Sequence, residues 1–393
     1  MIVLSGASVI LPDRVLAPGT VVVDGDRIAD VISGENSGPA GATQVDCRDA
    51  YIAPGFIDVH VHGVEGMDSL DGRGAIAGIA VRLSRFGVTA FCPTSIACAP
   101  EALRSMLADV RAARTAAISG ARVLPAHLES NFINPDYCGA QPVECLRLPR
   151  GPRAEGTFCG EEILHEIEEA RPDVGIVTVA PELDGVIELV RDLTSHGHRV
   201  SLGHSGASYD EALEAIAAGA RHATHLFNRM TPLAHRSPGL AAAVLDHEDV
   251  AAEIICDGVH VHPAMVRLAI SAKQPARIMA ITDGTAGSGL PRGARATLGG
   301  RPITVGDAAY LDDGTIAGSV LTMDRAFAML VTGMGIPLTV AATICSTTPA
   351  RSLNLHGFGV ISAGAVADLV VLDRDFQVRR TFVGGRQVWP GSS

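Results

Sequence analysis

The sequence predicts an α/β fold: a (β/α)8 TIM-type barrel with a small β-sandwich domain formed by the N- and C-terminal segments. Three observations carry this. Eight short apolar stretches alternate with helix-patterned stretches through the middle of the chain. Both ends read instead as short strands punctuated by turns. The length, 393 residues, suits a barrel of about 250 residues plus a smaller companion. The expected division is 1–54 and 356–393 for the two parts of the small domain, and 55–355 for the barrel.

At the N-terminal end, Ile2–Leu4, Val21–Val23 and Arg27–Val31 read as strands, with a turn at Asp24-Gly25-Asp26. The Ala- and Gly-rich run Ser33–Thr43 reads as a loop. At the other end, Ala367–Leu372 and Val378–Val383 read as strands, the second followed by Gly384-Gly385. Between them the expected barrel strands are Phe56–Val61, Thr89–Pro93, Val123–Leu128, Gly175–Ala180, Val200–Gly203, Ala223–His225, Ala252–Ile255 and Ile278–Thr282. Helices are expected over Glu101–Ala117, Gly160–Ala170, Gly185–His196 and Tyr209–Ala218.

Hydrophobic residues make up 47% of the chain and charged residues 19%, which supplies a large core and excludes a disordered chain. Aromatics are only 4%, so Ala, Val, Leu and Ile must fill that core. The net charge of −12 offers no basic groove, so nucleic acid is not expected as a partner. An anionic substrate is compatible with it, because a few local arginines hold a phosphate. No apolar run reaches the length of a membrane span, and Met1–Ile10 lacks the pattern of a signal peptide. A cytoplasmic protein without a membrane partner is therefore expected. The eight cysteines are scattered without a C-x-x-C pair, which fits reduced thiols.

The chemistry-bearing residues collect where expected strands end, the rim at which barrel active sites lie. Asp58-Val59-His60-Val61-His62 comes first. Side chains two apart on a strand face the same way, so His60 and His62 can reach one ion together. His127-Leu128-Glu129 ends strand three, Gly203-His204-Ser205 strand five, Thr224-His225 strand six and Thr282-Asp283-Gly284 strand eight. Each alone reads equally well as a capped polar strand end. Five strands delivering such residues to one rim read as a metal-dependent hydrolase. Imidazole and carboxylate donors suit Zn2+ or Fe2+. Such an ion activates water and polarises an amide carbonyl, and Asp283 is placed to take a proton from the water and pass it to the leaving amine.

Together these segments resemble the N-acetylglucosamine-6-phosphate deacetylases of the amidohydrolase superfamily. The matching stretches run in the same order over essentially the whole chain. They include 54–63, Gly87–Thr94, Val177–Glu182, Gly203-His204-Ser205, Ala223–Asn228, Asp257-Gly258-Val259-His260 and Ala367–Val370. The resemblance implies one or two divalent metal ions per subunit. Glu129, His204 and His225 would bind the principal ion, and His60 and His62 a second. It implies Asp283 as the proton shuttle, and Ala140, Gln141, Asn228, Arg229, Arg236, His260, Ile316, Ala317 and Gly318 as contacts to an N-acyl amino sugar phosphate. It also implies a homodimer in which part of the pocket comes from the neighbouring subunit. Arg236 is the natural phosphate ligand, since its planar fork pairs with phosphate oxygens. Two departures stand close to the expected sugar position: Ser130-Asn131 where the family has Gly-Pro, and Arg229 where it has Ala.

Rival readings are weaker. A dihydroorotase or hydantoinase type needs a carboxylated lysine on strand four, and the single lysine, Lys273, falls just before strand eight. The acid motif of adenosine-type deaminases is absent from the sequence. A deacylase of the galacto epimer or of N-acyl-D-amino acids, and a non-catalytic scaffold, remain as alternatives. The scaffold is disfavoured because such proteins lose metal ligands, and this chain keeps them.

Overall fold

A computed structural model describes residues 1–36, 38–151 and 157–390. Ser37 of the expected loop 33–43, and residues 391–393 of the C-terminal segment, lie outside them. The barrel strands, numbered here in chain order, are β1 (Phe56–Val61), β2 (Val88–Ser95), β3 (Ala126–Leu128), β4 (Val174–Val179), β5 (Arg199–Leu202), β6 (His222–Ala223), β7 (Ala251–Ile255) and β8 (Ile278–Ile281). They pair in parallel from β1 through β8. Each is followed by a helix that covers the outside, beginning with Ala75–Leu83 and Pro100–Thr115.

The helices form for local reasons. Pro100 opens its helix at a first-turn position, where no N–H is needed. Leu103, Met106, Leu107, Val110 and Ala113 then bury one face at helical spacing. Before Tyr209–Ala218, Ser208 Oγ accepts the Glu211 N–H while the Glu211 carboxylate accepts the Ser208 N–H, a reciprocal cap.

The barrel closes between β8 and β1 through side chains as well as backbone. The Asp283 N–H donates to the His60 carbonyl (2.9 Å) and the His62 N–H to the Gly284 carbonyl (2.8 Å). Below them the fully buried Asp58 carboxylate accepts from Thr282 Oγ1 (2.6 Å) and from the Thr282 and His60 N–H groups (3.3 Å each). Burial pushes Asp58 up to about 7.

Two elements differ from expectation. The expected strand Val123–Leu128 is split into Arg122–Val123 and Ala126–Leu128. Pro125 has no N–H to give to a central ladder, and the gap falls there. After β8 the chain makes an unforeseen three-stranded antiparallel insertion, Arg295–Leu298, Arg301–Val305 and Ala309–Tyr310, with its own small core. Its strands are too short and too polar to announce themselves by alternation.

The two chain ends combine into one eight-stranded sheet. Its first strand, Ile2–Ile10, is shared. One edge pairs with Val15–Asp24; the other pairs first with Thr43–Asp46 and then with Tyr51–Pro54. The C-terminal strand Leu369–Leu372 joins antiparallel to Tyr51–Pro54. Leu4, Val21, Ile28, Ile52, Leu369 and Phe382 form its core. The sheet is tied to the barrel by Asp368, whose buried carboxylate receives the fork of Arg122 at 3.1 and 3.2 Å. No helix among the described residues is long and apolar enough to cross a membrane.

Candidate active site

The strand ends bring Glu129, His204 and His225 to one point. Glu129 Oε1 lies 2.8 Å from His204 Nε2 and 2.8 Å from His225 Nε2, and the two imidazole nitrogens are 3.0 Å apart. All three residues are buried. The proton inventory of this trio is informative. His204 Nδ1 sits 2.8 Å from the Tyr137 carbonyl, which only accepts, so Nδ1 carries the hydrogen. A neutral His204 then turns its Nε2 lone pair toward Glu129 Oε1, another electron pair. A cation between the two satisfies this arrangement. Burial raises the Glu129 carboxyl, but its close contacts with the His204 and His225 imidazoles outweigh it and hold the group well below its ordinary value. Burial works against charging His225, yet its bond to Glu129 prevails and lifts it to about 9.

A second group adjoins the first. His60 Nε2 and His62 Nε2 are 3.3 Å apart. Asp283 Oδ1 lies 3.4 Å from the first and 3.2 Å from the second. Glu129 Oε2 is 3.6 Å from His62 Nε2, so one carboxylate edges both groups. Burial raises the Asp283 carboxyl, but the neighbouring His60 and His62 more than offset this and lower it. Burial holds His60 down at about 4. Either set of donors, the Glu129, His204 and His225 trio or His60, His62 and Glu129, fits one divalent ion.

Three of these residues, His204 (φ 48°), His225 (φ 29°) and Asp283 (φ 48°), adopt left-handed backbone immediately beyond their strands. Non-glycine residues held there store strain, a pattern that clusters at functional sites. The turn at Asp283 is braced by the Ser319 N–H (2.8 Å to the Asp283 carbonyl), and a Cβ on Gly318 (φ 69°) would stand 2.9 Å from that same oxygen. Only glycine permits the approach.

The donors open into a cavity of about 680 Å³, a size suited to a small-molecule substrate. Of the expected substrate contacts, Ala140, Gln141, Asn228, Arg229, His260, Ile316 and Gly318 line it. Ala317 and Arg236 do not. The Ala317 side chain is fully buried in the core of the hairpin insertion. Arg236 is exposed on the loop that follows Met230, outside the cavity of its own chain. Both polar ends of Gln141 are held by protein: its Nε2 donates to Glu129 Oε2, and its Oε1 accepts the Ala97 N–H at 2.8 Å. His260 Nδ1 bonds Asp257 at 2.6 Å, leaving its buried Nε2 without a partner at the cavity wall.

Ser130 and Asn131 are not on the wall either. Both are buried and bind backbone: Ser130 Oγ reaches the Thr178 carbonyl (2.5 Å), and Asn131 Nδ2 the Cys98 and Cys145 carbonyls (2.8 and 2.7 Å). Of the departures from the family pattern, only Arg229 faces the cavity. Residues not anticipated from the sequence complete the wall, among them Tyr137, Phe227, Met230, Val259 and Leu298. Glu253 on β7, fully buried beneath His60, was also not anticipated; burial pushes its carboxyl up to about 7. A lone carboxylate within Ala251-Ala252-Glu253-Ile254-Ile255 was the available signal.

The sequence pattern described as the Amidohydrolase family matches residues 51–388, so this parallel barrel with histidines and carboxylates gathered at its rim is an amidohydrolase. The N-acetylglucosamine-6-phosphate deacetylase of Danio rerio is 37% identical over 358 residues, spanning 88% of this chain and 86% of that protein. That of Bacillus subtilis is 33% identical over 390 residues, spanning 98% and 96%. The solved structure of a mutant N-acetyl-D-glucosamine-6-phosphate deacetylase from Mycobacterium smegmatis, in complex with N-acetyl-D-glucosamine-6-phosphate, superposes with a TM-score of 0.87 at 32% identity, covering 98% of this chain and 99% of that one. The chain belongs to the N-acetylglucosamine-6-phosphate deacetylase family.

Proposed function

We propose that this hydrolase removes the acetyl group of N-acetylglucosamine-6-phosphate, giving glucosamine-6-phosphate and acetate. The observation that carries the reading is the meeting of Glu129, His204, His225 and Asp283 at the floor of one cavity. Glu129, His204 and His225 would hold the principal ion, Zn2+ or Fe2+, and His60 and His62 a second. When bound, the ion supplies Lewis-acid activation of water and of the acyl carbonyl. Asp283, its Oδ1 3.2 Å from His62 Nε2, takes the proton of the attacking water and delivers it to the amine as the C–N bond breaks. Asn228 and Gly318 flank the sugar. His260 offers Nε2 to an oxygen of the substrate, its ring fixed by Asp257.

Within one chain Arg229 is the arginine on the cavity wall, and it serves the phosphate. The exposed Arg236 fits a homodimer in which its loop completes the cavity of a second copy. The free thiols Cys47, Cys92, Cys98 and Cys256 support a cytoplasmic setting.

The test is acetate release from N-acetylglucosamine-6-phosphate, its galacto and manno epimers, the unphosphorylated sugars and N-acetyl-D-amino acids. The phosphorylated gluco compound is the expected best substrate. Preference for an N-acetyl-D-amino acid, or indifference to the phosphate, refutes the sugar-phosphate assignment while leaving a deacylase.

A further inference from the structure

Beneath the rim, Glu253 is a carboxylate with no solvent exposure in the centre of the barrel. A charged group there is costly unless it is paired. Its partners are informative. Oε2 lies 2.9 Å from His60 Nδ1 and 3.4 Å from the His225 N–H. The Glu253 carbonyl accepts the Leu226 N–H at 2.8 Å. Oε1 faces His127 Nδ1 at 3.6 Å, while that nitrogen bonds the Val59 carbonyl at 3.0 Å. One residue thus touches the back of an imidazole expected to bind one ion and the backbone of a residue expected to bind the other.

We propose that Glu253 is a positioning residue that presets the metal centre, fixing His60 with hydrogen on Nδ1 so that its Nε2 lone pair faces the ion shared with His62. An imidazole that gives Nε2 to a cation must carry its hydrogen on Nδ1, and that hydrogen then meets Glu253 Oε2, an acceptor 2.9 Å away. Ion binding and the His60–Glu253 bond require the same tautomer, so each strengthens the other. The bond to the His225 N–H places the second effect: it supports the left-handed turn (φ 29°) that aims His225 at Glu129. The assignment rests on reading the rim as a metal site.

The test uses the full chain stripped of metal and titrated with Zn2+ against a competing chelator, in the parent and in Glu253→Leu, Glu253→Gln and His60→Asn. Glu253→Leu should weaken the ion that depends on His60 by about 10–100-fold, the usual loss when a partner behind a ligand is removed. The ion held by Glu129 and His204 should weaken several-fold less. Glu253→Gln retains an oxygen that accepts from Nδ1 and should fall between parent and Leu. If the Leu variant does not fold, the Gln variant carries the test: its loss should vanish in the His60→Asn background, where there is no ring left to orient. Parent-like affinity in folded Glu253 variants, a lowered melting temperature with unchanged ion binding, or losses that add in the double variant overturn the proposal. So does a parent that binds a single ion indifferent to His60→Asn. A parent that binds no ion sinks the metal reading itself, a distinguishable result.

Discussion

Replacing Gln141 by Leu probes how Glu129, the proposed ligand of the principal ion, is held. Leu keeps most of the volume and removes both polar contacts. The bond from Gln141 Nε2 to the Glu129 carboxylate is charge-assisted and buried, a type that contributes about 1.5–3 kcal/mol. The same change leaves the Ala97 N–H, now 2.8 Å from Gln141 Oε1, unpaired in the interior, at a cost of about 1–3 kcal/mol. The metal-free protein should therefore lose about 4 kcal/mol of stability, read by urea denaturation. Glu129 also loses the donor on the oxygen that faces His62, so Zn2+ affinity should drop about 10–100-fold in competition with a chromophoric chelator. A stable variant with unchanged ion affinity refutes the reasoning. A destabilised one with unchanged affinity shows that Gln141 braces the loop and nothing more.

Three further outcomes are expected. The double variant His204→Ala/His225→Ala should lose tight ion binding, measured by elemental analysis after dialysis; a stoichiometric ion retained by that variant contradicts the ligand assignment. Arg229→Ala or Arg236→Ala should cost about 2–4 kcal/mol in kcat/KM for the phosphorylated sugar and leave the unphosphorylated sugar unchanged; equal losses on both remove phosphate recognition from that arginine. Burial raises the Asp257 carboxyl, but its bond to His260 prevails and lowers it, so the stability it contributes is present above the ordinary carboxylate pKa and disappears as pH falls through the lowered one. The stability difference between parent and Asp257→Asn should be full near neutral pH and shrink below about pH 4; a difference that grows on acidification reverses the sign of the argument.

The barrel was legible because its strands are buried on both faces and read as apolar runs that stop at polar residues, as at Val61-His62 and Leu202-Gly203-His204. The period of two in His60-Val61-His62 likewise matches the observed pairing of their rings. What was not legible depends on contacts distant in sequence. Glu253 meets His60 across 193 positions, and nothing near it in the chain marks that meeting. The left-handed backbone at His204, His225 and Asp283 falls on non-glycine residues, so residue type does not announce it. Ser130 and Asn131 stand beside Glu129 in sequence, yet they turn inward to backbone carbonyls. The insertion after β8 reached notice only through Ile316, Ala317 and Gly318, because Arg295, Arg301 and Pro302 interrupt its alternation.

The proposed hydrolytic centre of Glu129, His204, His225 and Asp283 stands or falls on acetate and free-amine release from N-acetylglucosamine-6-phosphate, in the parent and in Asp283→Asn at equal ion occupancy. The parent should release acetate and amine in equal amounts, stop when the ion is removed by a chelator and resume when it is restored. Asp283→Asn should keep its ion and lose at least about 10²-fold in kcat, the loss expected when the proton carrier is removed. An ion-loaded Asp283→Asn variant turning over near the parental rate, or an ion-loaded parent that releases no acetate, contradicts it.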